Sequence, residues 1–145
     1  MKDYQRILVC TDFSEASLAA VDRGVDFVRR YGARLNLLHV IEHFPEDMPN
    51  YAISPENRDP ATFYLERAQK NLADLAEKIG QKDAGQEVVM STGSARFEIR
   101  RFAEKEGIDL ILIGAKGGGM LDVFGSTAMG VIYDPPCDVL VVRGT

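Results

Sequence analysis

The sequence predicts an open α/β sheet of five parallel strands in the order 3-2-1-4-5, with helices on both faces. Three observations carry that expectation. Short apolar runs alternate along the chain with segments whose apolar residues recur every three or four positions. The runs are continuously apolar, which suits strands covered on both sides. The stretch from Leu110 to Ser126, LILIGAKGGGMLDVFGS, then ends a strand in glycine and leads through a glycine-rich loop to a Ser-Thr pair that opens a helix.

The elements follow in order. RILVC at 6–10 is the first strand, closed by Thr11-Asp12-Phe13-Ser14. Leu18, Val21, Val25 and Val28 then recur at helical spacing, with Ser14 as N-cap and Gly32 as the residue past the C-terminus. ARLNLLHVI at 33–41 is the second strand, completing a right-handed βαβ unit. Residues 42 to 61 break the rhythm with Pro45, Pro49, Pro55 and Pro60, a loop that reads as a lid, a partner-contacting flap or a disordered segment. Leu65, Ala68, Leu72, Leu75 and Ile79 form the stripe of a second helix ending near Gly80, and Gln81 to Gly85 link it to EVVMS at 87–91. Ser94 caps a third helix with Ala95, Ile99 and Phe102 on its inner stripe, and Gly107 stops it. The fourth helix runs from Ser126 to Tyr133, where Pro135-Pro136 ends it, and CDVLVVR at 137–143 is the fifth strand. Residues 1–145 read as one domain without repeat or low-complexity tract.

In that strand order the chain reverses direction between strands 1 and 4, and open α/β sheets bind ligands outside the carboxyl ends of the strands at such a point. The loops that meet there are Thr11 to Ser14 and Gly114 to Gly125. Glycines after a strand allow positive φ and close approach of a ligand, and amides at a helix start hold anions. A phosphate-bearing ligand is therefore indicated. The competing readings are structural: Asp12 and Ser126 as helix caps, Lys116 as a solvated loop lysine, Gly118 and Gly119 as a flexible turn.

Composition narrows the function. Hydrophobic residues make up 46% and charged residues 27%, and the formal net charge of −5 argues against sequence-independent nucleic-acid binding. No apolar run has the length of a membrane span and no signal-peptide pattern opens the chain, so no membrane partner and a cytoplasmic location are expected. Cys10 and Cys137 read as two buried thiols. His39 and His43 lie four apart on a strand and its following loop, which makes zinc an unsuitable ligand, and two histidines assemble no nucleophilic triad. The Walker pattern is absent, and strand 3 ends at Ser91-Thr92-Gly93, without the aspartate a receiver domain needs there. No enzyme and no metal are expected.

ILVCTDFSEAS, with its apolar strand, Asp and Ser-x-x-Ser helix start, resembles the universal stress protein signature. LNLLHV, IDLILIGAKG and GSTAMGVIYDPPCDVLVVR resemble that family's second strand and C-terminal third, so the likeness spans the chain except for 42–61. The resemblance implies the adenine-nucleotide alpha-hydrolase-like sheet, a stress-response role, dimers in many members, and ATP or AMP in a subgroup. That subgroup's motif is Gly-x2-Gly, nine residues, then Gly-Ser/Thr. Gly114-Ala115-Lys116-Gly117 and Gly125-Ser126 match its two ends, but only seven residues, Gly118 to Phe124, separate them, as in a shortened branch that holds no nucleotide. By resemblance Thr11, Asp12 and Val40 would sit at the adenine end, and Gly114, Lys116, Gly117, Gly125, Ser126 and Thr127 at the phosphates. The alternative is a nucleotide-free dimeric interaction platform.

An edge position for strand 5 implies one more contact. Val139, Leu140, Val141 and Val142 carry no charge, and an apolar edge invites pairing with another chain. A homodimer through Cys137 to Arg143 about a two-fold axis would satisfy both edges.

Overall fold

The computed structural model describes residues 3–42, 60–91, 94–115 and 123–144. Five strands and four helices alternate: β1 (Arg6–Cys10), α1 (Glu15–Tyr31), β2 (Arg34–Glu42), α2 (Pro60–Lys78), β3 (Gly85–Ser91), α3 (Ala95–Glu106), β4 (Leu110–Ala115), α4 (Val123–Tyr133) and β5 (Asp138–Arg143). The sheet is parallel throughout, in the order β3-β2-β1-β4-β5. Fold class and strand order are as the sequence predicts.

Both faces are covered because successive strand residues point to opposite sides. Leu8, Cys10, Leu38, Ile111 and Ile113 pack on Ile99 and Phe102 of α3 and on Ala128 and Val131 of α4. Ile7, Val9, Leu35, Leu37, Leu110 and Leu112 pack on Val21 of α1 and on Leu72 and Leu75 of α2. Burying each such side chain contributes about 1.5–3 kcal/mol. The central strands β1 and β4 thereby become a rigid base for the loops at their ends.

Helix ends follow the sequence closely, with two differences. Ser14 caps α1 by accepting from the Ser17 amide, while Ser94 occupies the α3 cap position without a side-chain hydrogen bond. Gly32, Gly80 and Gly107 take φ of 64°, 71° and 64° just past α1, α2 and α3. The first difference is Pro60, which opens α2 instead of closing the preceding loop. A proline fits the first helical position, whose amide has no intrahelical partner. The second is α4, which starts at Val123, three residues before the expected Ser126. Residues 43–59 of the proline-rich loop lie outside the described residues.

The segment before β1 is tied to the edge strand. Tyr4 Oη donates to Asp138 Oδ2 at 2.7 Å. That hydrogen bond, then burial and the Asp138 charge, push the phenol up to about 12. A raised folded-state pKa favours the protonated phenol, so this contribution is complete below pH 10 and is lost as pH rises towards 12. Tyr4→Phe should therefore be less stable than wild type in urea unfolding at pH 8, and the difference should shrink between pH 10 and 12.

Candidate functional site

The registers bring the expected loops to one end of the sheet. Cys10 pairs with Leu38 on one side and with Ile113 on the other. Thr11, Val40 and Gly114 therefore lie one or two residues past the same rung, at the carboxyl ends of β1, β2 and β4.

The β1–α1 turn is held by a compact hydroxyl network. Thr11 is buried, and its amide donates to the Leu38 carbonyl at 3.0 Å. Its Oγ1 accepts from the Phe13 amide at 2.9 Å and lies 2.9 Å from Ser17 Oγ. Ser17, fully buried, also donates to the Ser14 carbonyl at 3.0 Å and accepts from the Asp12 amide at 3.3 Å. Asp12 Oδ1 accepts from the Ser14 amide at 3.0 Å, so Asp12 shapes the turn that presents Ser14, and Ser14 is the cap. Phe13 sits at φ 65°, a left-handed conformation that costs a non-glycine residue on the order of 1–3 kcal/mol. Its ring packs on His39 at a centroid distance of 4.8 Å. His39 Nδ1 lies 2.7 Å from the Thr11 carbonyl oxygen, which can only accept, so Nδ1 carries the proton. Ser17, Phe13 and His39 were not singled out as site residues. The Ser14-x-x-Ser17 spacing carried a signal for the first, and nothing marks a phenylalanine for positive φ.

Gly114 has a different physical role from the one expected. It is buried within β4, and the described glycines with positive φ do not include it. A Cβ there would run into the Ala16 carbonyl and stand 2.8 Å from the Ser17 amide nitrogen. Gly114 thus lets the first turn of α1 rest directly on the end of β4. Gly144 does the same from the other side: its amide donates to the Ala115 carbonyl at 3.1 Å, and a Cβ would stand 3.0 Å from Ala16 Cα.

The early start of α4 changes the anion site. Gly125 and Ser126 lie inside its first turn, not at its cap. Glycine suggested a break, but in a helix it costs only about 1 kcal/mol relative to alanine, and Val123 and Phe124 carry the helix past it. The amides of Val123, Phe124 and Gly125 precede the first intrahelical bond and form the positive end of α4. Thr127 is buried on the inner side with Ala128 and Val131. Val40, half-buried, packs on the core shared with α3 and α4. Lys116 and Gly117 lie outside the described residues.

Two hollows bear on the site. A crevice of about 280 Å³ is lined by Asp12, Phe13, His39, Ile41, Tyr64 and Arg67, on the α2 side. Asp12 thus borders the α2 side, while Val40 faces the α3 and α4 side. A larger hollow of about 460 Å³, lined by Arg6, Arg34, Asp83 and Glu106 among others, lies at the amino ends of the strands, away from the switch point. Cys10 and Cys137 are both free thiols. Burial pushes Cys10 far up, and burial followed by the Asp138 charge pushes Cys137 up to about 11, so both stay protonated. Cys137 is half-buried instead of buried, because it stands just before the edge strand. Among the described residues no three His, Cys, Asp or Glu side chains group as metal ligands, and no helix is long and apolar enough to cross a membrane.

Comparison with known proteins agrees with this architecture. Residues 3–143 match the Universal stress protein family. Universal stress protein A homolog 2 of Coxiella burnetii is 30% identical over 145 residues, 99% of this chain and 97% of that protein. Universal stress protein UspA from Lactobacillus plantarum superposes with a TM-score of 0.71 at 24% identity, covering 99% of this chain and 100% of that one. Two similar folds were solved with ligand. One is a universal stress protein in complex with cAMP (TM-score 0.62, 24% identity, 97% of this chain and 98% of that one). The other is a family protein from Arabidopsis thaliana with AMP bound (TM-score 0.62, 18% identity, 97% of this chain and 92% of that one). With the family match running almost from end to end, this chain belongs to the universal stress protein family.

Proposed function

We propose that this chain is a stress-response regulatory protein of the cytoplasm that binds an adenine nucleotide, ATP or AMP, between the carboxyl ends of β1 and β4. It acts as a single domain, in a homodimer paired along β5. The observation that carries the reading is a convergence: the β1–α1 turn, the Gly114-x-x-Gly117 motif and the positive end of α4 all belong to the switch point of the sheet. The AMP and cAMP ligands of similarly folded proteins support the choice of nucleotide. Asp12 suits the base or ribose, since a carboxylate accepts from an amine or hydroxyl and repels phosphate. The first-turn amides of α4, with Gly117, Ser126 and Thr127, suit the phosphates, and Lys116 adds positive charge. Thr11 and Val40 wall the adenine end, and Gly125 keeps the first turn of α4 open to the phosphates. Turnover is not part of the role, because no general base poised near neutral pH is placed at this end.

The nucleotide-free platform remains the second reading, favoured by the seven residues from Gly118 to Phe124. Denaturing freshly purified protein and chromatographing the supernatant separates the two. Released adenine nucleotide is expected. If none is released, two residues inserted between Leu121 and Phe124 should raise affinity where the shortening is the obstacle. An unchanged affinity clears the spacing and leaves the platform reading.

A further inference from the structure

α4 is apolar on both of its sides. Its inner side buries Ala128 and Val131 on the sheet. Its outer side presents Met129 (69% exposed), Ile132 (43%) and Tyr133 (91%), which share one stripe at i, i+3 and i+4. The helix has no charged residue from Val123 to Tyr133. A surface helix ordinarily carries a polar outer face, and single exposed apolar residues need no explanation, but a contiguous set does. Phe97 of α3 (61% exposed) and Val141 of β5 (37%) add to the exposed apolar surface.

Neighbouring contacts define what can cover this surface. α3 packs on α4, where the Arg96 side chain fills the space that a Cβ at Gly130 would need. Arg100 donates to the Asp134 carbonyl and to its carboxylate at 2.6 Å, and pairs with Glu104 at 3.0 Å, so the charges beside the stripe are matched within the chain. Val139 packs into the core on the α3 and α4 side, and by strand alternation Val141 points to that same side. β5 is an edge of the sheet. The apolar surface therefore continues from the helix to an open edge.

We infer that Met129, Ile132 and Tyr133, with Phe97 and Val141, form the side-chain half of a two-fold interface with a second copy of this chain. The inference rests on the β5 pairing proposed above. A two-fold axis that pairs β5 with its copy runs perpendicular to the sheet and keeps each face on its own side, so α4 meets α4 of the copy. An uncharged stripe meets itself without repulsion. A ladder of six residues is only ~20 Å long, whereas a stable interface buries roughly 800 Å² on each partner, and the stripe supplies the remaining contact. An extended peptide added to β5 would leave α4 uncovered.

Sedimentation equilibrium of wild type, Met129→Glu/Tyr133→Glu and Val141→Pro tests this, with circular dichroism to confirm folding. Wild type should be dimeric at about 10 μM, and the double substitution should weaken the dimer at least about 100-fold. If wild type dimerises and the double variant does so equally well, the stripe is not in the interface and the β5 pairing stands alone. A dimer that survives Val141→Pro overturns the β5 pairing and the geometry built on it. A monomeric wild type overturns both. Peroxide oxidation of Met129 in unsubstituted protein gives a readout independent of variant folding. Its rate should fall as concentration rises through the dimerisation range, and a concentration-independent rate contradicts the inference.

Discussion

Gly114→Ala is expected to destabilise the protein by at least about 1–3 kcal/mol, the cost of overpacking a core that cannot yield. The new methyl would meet the Ala16 carbonyl and stand 2.8 Å from the Ser17 amide nitrogen. These are backbone atoms in the first turn of α1, so no rotamer change relieves the clash. The turn itself must lift from β4, carrying Thr11, Asp12 and Phe13 with it. At Gly24 an added Cβ would stand 2.6 Å from Val9 Cγ2, a side-chain methyl that can shift, so Gly24→Ala should cost less. Thermal unfolding of both variants checks the pair. A Gly114→Ala protein as stable as wild type would mean that α1 is not seated on β4 as described.

Ser17→Ala should cost about 1–3 kcal/mol, because removing one hydroxyl strands the buried partners it served. Thr11 Oγ1, the Asp12 amide and the Ser14 carbonyl all meet Ser17 Oγ within 3.3 Å. Alanine keeps the helix, so the loss is specific to the turn. The same change should weaken nucleotide binding about tenfold, since the strained Phe13 and the Asp12 carboxylate depend on that network for position. Urea unfolding reads the first effect and calorimetric titration the second. A stable variant with undiminished affinity would show that the turn is held by its backbone alone.

The sheet was legible in the sequence because each strand is a short apolar run between strong helix punctuation. Ser14, Gly32 and Gly107 act where their chemistry suggests. Local signals misled where a residue is compatible with two states. Pro60 reads as loop yet opens α2, and Gly125 reads as a break yet sits inside α4. The use of Gly114 was illegible for another reason. Its partner, Ala16, is distant in sequence, and only the packed layers reveal that a glycine there accommodates a helix. Phe13 is the extreme case, since its φ of 65° comes from the network around Thr11 and Ser17 and not from its own preference. The expected site residues Thr11, Asp12, Val40 and Gly114 do share one end of the sheet.

Isothermal titration of ATP, ADP and AMP into the purified protein, alongside Gly117→Val, measures the central claim directly. A branched side chain at Gly117 would occupy the approach of the phosphates. Saturable heat is predicted with one nucleotide per chain and a dissociation constant on the order of 1–100 μM, lost in the valine variant. No saturable heat for wild type with any of the three nucleotides would contradict the account and leave the protein as a nucleotide-free member of its family.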